Sequence, residues 1–158
     1  MKYRILSANE QGGNYVLTAY LQGSAPTGAK PFSTDTYAII PTIAGGIGWG
    51  SFDIQTTLSE SFPTSRVSAI GDATIWNVAL QAQVGEVFWP EVETSYTYYP
   101  NGPHAGKSQI SITPNLIVGN IPIYGRLALN LGLGYELTVS PRVPTFDRSW
   151  ILSVRLNF

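Results

Sequence analysis

The sequence predicts an all-β chain: an antiparallel sheet of about eight to nine strands in up-and-down order. Three observations carry this reading. Apolar and polar residues alternate with a period of two along most of the chain, the pattern of strands with one apolar and one polar face. The connections between these stretches alternate short and long. Only 12% of the residues are charged, and 16 Gly and 11 Pro punctuate the sequence. The charged share is about half that of an ordinary soluble domain, so Ser, Thr, Asn, Gln and Gly supply the polar positions.

The elements follow in order. Lys2 to Ala8 is a short first strand, and Asn9 to Gly13 a turn whose glycines permit positive φ. Tyr15 to Gln22 is the second strand, with Leu17, Ala19 and Leu21 set against Thr18, Tyr20 and Gln22. A long loop over Gly23 to Thr36 precedes the third strand, Tyr37 to Gly48. A tight turn at Trp49-Gly50-Ser51 leads into the fourth, Phe52 to Ser59, and Glu60 to Ala73 reads as a second long loop. The fifth, Ile75 to Val84, meets the sixth, Val87 to Tyr99, at Gly85-Glu86. Pro100 to Lys107 is a loop, Gln109 to Gly119 the seventh strand, and Asn120 to Tyr124 a short turn. The eighth alternates most regularly: Leu127, Leu129, Leu131, Leu133, Tyr135 and Leu137 against Ala128, Asn130, Gly132, Gly134 and Glu136. Thr138 to Ser149 is a loop before the ninth strand, Trp150 to Phe158.

This rhythm is that of a transmembrane β-barrel, or of an open curled segment of one. Such barrels join their strands by short turns on one side and long loops on the other. The strands approach the ~9 to 11 residues that cross a bilayer at a tilt. Aromatics gather at both strand ends. Tyr37, Trp76, Tyr96, Tyr98, Tyr135 and Trp150 fall on the long-loop side, and Tyr15, Trp49, Phe52, Phe88, Tyr124 and Phe158 on the short-turn side. Ring amphipathicity favours such belts at a lipid–water interface. A soluble sandwich or a lipocalin-like barrel binding an apolar ligand is the competing architecture. It needs many Lys, Glu, Asp and Arg on its outer face, and they are scarce here.

Composition narrows function. The net charge of −1 gives no electrostatic basis for nucleic-acid binding. The absence of Cys removes disulfides, zinc–thiolate sites and thiol nucleophiles. No apolar run has the length of a membrane helix, and Met1-Lys2-Tyr3-Arg4 leads straight into a strand pattern without a signal peptide. The expectation is a single β-barrel domain over residues 1–158 that lacks its export signal and some N-terminal strands. The first and last strands are then expected to remain unpaired with each other.

The polar face carries candidate functional charges. Asp53, Glu91, Glu93 and Glu136 are expected to face Arg126 and Arg155 across the lumen. They could set the selectivity of a pore or form a salt-bridged plug. Gly46, Gly48, Gly132 and Gly134 read as places of close approach for bulky inward groups such as Trp89, or as points of strand curvature. Pro41, Pro90 and Pro114 sit inside strands, where each removes a ladder donor and is expected to produce a bulge. His104 is the only His. Nothing pairs with it by spacing, so no catalytic site is assigned, and neither a metal site nor a cofactor is expected.

The last strand alternates Trp150, Leu152, Val154, Leu156 and Phe158 with polar residues and stops on the aromatic. This ending resembles the C-terminal signature of bacterial outer-membrane β-barrels, which the barrel-assembly machinery reads. Together with Asn130-Leu131-Gly132-Leu133-Gly134-Tyr135, it makes the chain similar to the C-terminal part of transporter-type barrels of the phenol-degradation-pathway group. The resemblance implies a bacterial outer-membrane location, lipid and the assembly machinery as partners, and non-catalytic passage of a small solute. A structural or adhesive barrel that binds a partner through its loops is the alternative. Deletion of Phe158 is expected to lower insertion in cells more than refolding in detergent, as measured by heat-modifiable gel mobility in both settings.

Overall fold

A computed structural model describes residues 2–28, 34–140 and 148–157. They form one nine-stranded sheet in sequential order. The strands are β1 (Lys2–Ala8), β2 (Tyr15–Ser24), β3 (Ala38–Trp49), β4 (Phe52–Pro63), β5 (Ala73–Ala82), β6 (Phe88–Tyr98), β7 (Ser108–Tyr124), β8 (Leu127–Thr138) and β9 (Arg148–Asn157). Every neighbouring pair is antiparallel. Short connections make this order the natural one, since a tight turn returns the chain beside the strand it has just left. Side chains of both β2 and β9 line a single cavity, so the sheet curls. Among the described residues no ladder joins β1 to β9, and the curled sheet is open, as expected.

Register separates the two faces cleanly. Ile47, Ile54, Leu80, Val92 and Pro114 stand side by side across β3 to β7. One residue along, Gly48, Asp53, Gln81, Glu91 and Asn115 form the adjacent row. With a period of two, these rows point to opposite faces. The apolar face is convex and uncovered: Leu80 and Leu133 are each 53% exposed and Leu152 75%. The concave face buries small polar groups instead, with Thr42 and Ser111 at 4% and Thr113 at 6%. This reverses the usual distribution of a soluble domain. The convex band ends in aromatics on both sides. Trp49 pairs with Phe52 near the short turns, and Trp76 with Tyr96 near the long connections. Tyr135 and Trp150 meet there too, their ring centroids 4.7 Å apart. The Trp76 Nε1–H donates to Thr56 Oγ1 at 2.9 Å, so this outward indole has a partner within the sheet.

Several expectations are corrected in detail. β4 continues to Pro63 rather than ending at Ser59, because its ladders run on to Ala38 of β3 and Ala73 of β5. β7 extends to Tyr124. Asn120 adopts φ 53 and the register shifts between Val118 and Ile121, so the expected turn is a bulge and the chain reverses at Gly125-Arg126 instead. The prolines do not bulge the sheet. The β2–β3 register passes through Leu21 and Pro41 unbroken, and the β6–β7 register through Val92 and Pro114. A missing N–H removes one ladder bond, while the flanking pairs keep the alignment.

The long connections pack on one another. One carries a short helix, α1 (Val67–Ile70), and the next a single 3₁₀ turn over Gly102–His104. The Asp72 N–H donates to Asn101 Oδ1 at 2.7 Å, and Asn101 Nδ2 donates to Asp72 Oδ2 at 2.6 Å. Gly71 makes this clasp possible. Its φ is +83, and a Cβ there would lie 2.6 Å from the Asn101 carbonyl oxygen. Gly71→Ala is expected to weaken the clasp by about 1–3 kcal/mol through backbone strain alone. Hydrogen exchange should then quicken at the Asp72 amide and stay unchanged in the middle of β4 and β5.

Candidate functional site

The concave face is where chemistry can reside. Its central trough has a volume of about 660 Å³ and runs from Tyr20 and Gln22 on β2 to Ser153 and Arg155 on β9. The alternating sequence places its walls, since most inward positions of β4 to β8 are small or polar, with Ile75, Trp89 and Ile117 the large apolar exceptions. Gln55, Gln81, Glu91, Glu93 and Asn115 form its middle.

Register brings the carboxylates together with donors from neighbouring strands. Glu91 lies between Gln81 and Asn115. Gln81 Nε2 donates to one of its oxygens at 3.0 Å, and Asn115 Nδ2 to the other at 3.1 Å. Glu136 is held in the same way, by Ser111 Oγ at 2.7 Å and Ser149 Oγ at 3.1 Å. The Gln55 Nε2 donates to Asp53 Oδ1 at 2.9 Å. Glu93 stands two residues from Glu91 on the same face of β6, beside Ala79 and Thr113.

The basic candidates fall elsewhere. Arg155 lines the trough from β9, beside Asn130. Among the described residues no ion pair joins Arg155 to the carboxylates; Asp53, Glu91 and Glu136 are held by amide and hydroxyl donors instead. Arg126 is a correction. It is not on the lumen-facing side of a strand; it sits exposed in the Gly125-Arg126 turn, because β7 runs past its expected end. Phe158, the last residue of the expected assembly signal, lies outside the described residues. Trp150, Leu152, Val154 and Leu156 share the convex face of β9 and are exposed.

Trp89 is the inward aromatic of β6. It packs over Gly119, where a Cβ would lie 3.0 Å from its Cζ3. The glycine that receives it is thus Gly119, not Gly46, Gly48, Gly132 or Gly134; Gly132 receives Ser153 instead. Ile117 stands beside Trp89 on the neighbouring strand, and Ile151 adds apolar surface to the same trough from β9. His104 lies apart from this arrangement. It is half-buried in the loop after β6, its ring edge-on to Tyr99 at 5.4 Å, with Nδ1 buried and unpartnered. Among the described residues no cluster of three His, Cys, Asp or Glu could hold a metal ion. Chemically, the trough offers carboxylates, amide and hydroxyl donors and the aromatic rings of Tyr20 and Trp89: groups that can hydrogen-bond or stack with a polar solute.

The partners of the carboxylates were not identified from the sequence. Gln81, Asn115, Ser111 and Ser149 become visible only once the cross-strand register is known, and no local motif announces them. Comparison with protein-family models, with curated proteins and with solved structures finds no match to this chain.

Asn115 supplies the sharpest test of the site. Asn115→Leu removes a donor to a partly buried carboxylate and is expected to cost about 1.5–3 kcal/mol. Gln55→Leu, which removes the exposed donor to Asp53, should stay within about 0.5 kcal/mol. Denaturant titration of both variants in one detergent reads the difference.

Proposed function

We propose that this chain is part of a bacterial outer-membrane β-barrel, non-catalytic, that passes small polar solutes along its concave face. The observation that supports this most is the inverted burial: the apolar face is convex and bare, and the polar face is concave. In water such a face would expose a continuous apolar surface far larger than monomeric proteins tolerate. In lipid it is the surface that the surroundings demand, bounded by the aromatic rows at both strand ends. A lipocalin-like barrel puts its apolar residues inward, and this register weighs against it.

The short turns then lie on the periplasmic side and the long, mutually packed connections outside. Glu91, Glu93, Asp53 and Glu136 give the inward face a negative field, which favours cations over anions in transit. The Asp72–Asn101 clasp favours a second reading, a barrel whose ordered outer loops bind a partner.

The tryptophans test the membrane reading directly. The chain has four. Variants that retain only Trp76 or only Trp89 are refolded into vesicles of brominated lipid. Trp76 fluorescence should be strongly quenched and Trp89 fluorescence much less; equal quenching overturns the assigned faces. In the same vesicles Leu133→Arg should cost about 2–4 kcal/mol, and Gln55→Arg, on the concave face, far less. Planar-bilayer recordings decide between passage and adhesion. Step conductances with a cation preference that falls in the Glu91→Gln/Glu93→Gln variant support passage. Their absence moves the assignment to the loop-binding barrel.

A further inference from the structure

The trough is apolar at one level and acidic at the next. Trp89, Glu91 and Glu93 alternate along one face of β6, and all three line it. At about 3.3 Å per residue, Glu91 stands about 7 Å from Trp89 along the strand and Glu93 about 13 Å. The neighbouring strand repeats the change: on β7, Ile117 lies beside Trp89, Asn115 beside Glu91 and Thr113 beside Glu93. Arg155 lies beside Asn130, and Asn130 and Trp89 both crowd Gly119, so the positive charge belongs to the Trp89 end.

The acidic level is short of partners. Gln81 and Asn115 occupy Glu91, but among the described residues Glu93 has neither a hydrogen bond nor an ion pair. The charges that act on it are Glu91 and Glu136, both of like sign. Thr113, beside it, is only 6% exposed and lines the trough. Its hydroxyl also has no hydrogen-bond partner among the described residues. A nearly buried hydroxyl without a partner is uncommon, and a carboxylate among like charges is unfavourable. One group answers both deficits: an ammonium, a cation with three N–H donors for carboxylate and hydroxyl oxygens. A bare metal ion would leave the Trp89 and Ile117 surface unused, and among the described residues no three acidic or imidazole groups are placed to hold one.

We propose that the trough binds primary ammonium ions that carry an aromatic end. The ring stacks on Trp89 beside Ile117, and the ammonium lies between Glu91, Glu93 and Thr113, directed away from Arg155. A span of about 7 to 13 Å between the two levels suits an aryl ring joined to the ammonium by a flexible chain of about four carbons. The volume of about 660 Å³ accommodates such a molecule. The site rests on the reading of the concave face as a solute path, which it narrows to amphipathic cations.

The unaltered chain, refolded in maltoside detergent, is titrated by calorimetry against empty micelles with four probes: phenylbutylammonium, phenylpentanoate, phenylbutanol and butylammonium. Phenylbutylammonium should bind saturably, and each of the others at least tenfold more weakly. Glu93→Gln keeps the shape and removes the charge, and should weaken phenylbutylammonium about tenfold at low salt while leaving phenylbutanol unchanged. Trp89→Leu should bring phenylbutylammonium down to the level of butylammonium. In the variant that retains only Trp89, saturating phenylbutylammonium should shift the fluorescence; in the variant that retains only Trp76 it should not. Equal affinity for the carboxylate or the alcohol overturns the ammonium site, equal affinity for butylammonium overturns the ring site, and absence of binding overturns both. Unchanged affinity in Glu93→Gln overturns the placement. All of these titrations are read in detergent. Their failure, with Trp76 and Trp89 quenched differently in brominated lipid, removes this site and leaves the membrane reading standing, whereas equal quenching removes the membrane reading whatever the titrations give.

Discussion

Backbone hydrogen bonding is the constraint on which this structure depends. A strand in the middle of the sheet satisfies its N–H and C=O groups only by pairing on both sides, and in a non-aqueous setting water cannot replace a missing partner. Eight antiparallel ladders meet this demand between β1 and β9. Once they are in place, side-chain direction is no longer free. Every residue is assigned to the convex or the concave face by its parity in the strand, and a slip of one residue would turn the whole apolar set inward. The few register shifts are confined to β1 and to the end of β7, near an edge and a turn.

Inverted polarity follows from this parity and gives the inner face its chemistry. Large side chains point outward, so the interior can be filled by Thr, Ser, Asn, Gln and Gly without strain. Glu91 and Glu136 are placed where neighbouring strands present amides or hydroxyls. Glu91 between Gln81 and Asn115, and Glu136 between Ser111 and Ser149, show one solution repeated. Amide and hydroxyl donors hold a carboxylate in position while leaving its charge in place, whereas a salt bridge would cancel it. That difference separates a field-bearing trough from a neutral plug.

Two features resist the even pattern, and both lie at its margins. Trp89 is the largest side chain on the mostly small or polar inward face, and its ring packs over Gly119 on β7, where a Cβ would crowd it. The long connections form their own polar contacts, with Thr36 Oγ1 and Ser65 Oγ 2.6 Å apart and the Asp72–Asn101 pair beyond them. Such contacts order loops that carry little apolar area of their own.

The sequence by itself determined the all-β class, the strand order, the face of nearly every strand residue and the location of both aromatic rows. All of these follow from local signals: a period of two, turn residues and aromatic placement. It also marked Asp53, Glu91, Glu93 and Glu136 as inward. Tertiary structure alone decided who stands beside whom. Arg126 left the face because a bulge at Asn120 carried β7 past its expected turn, and Pro41 and Pro114 stayed in register because flanking pairs held them. Gln81 and Asn115 became the partners of Glu91, and Gly119 the seat of Trp89, through alignment between strands. Alignment is a property of pairs of strands distant in sequence, set by many ladder bonds at once, and no single stretch of residues encodes it.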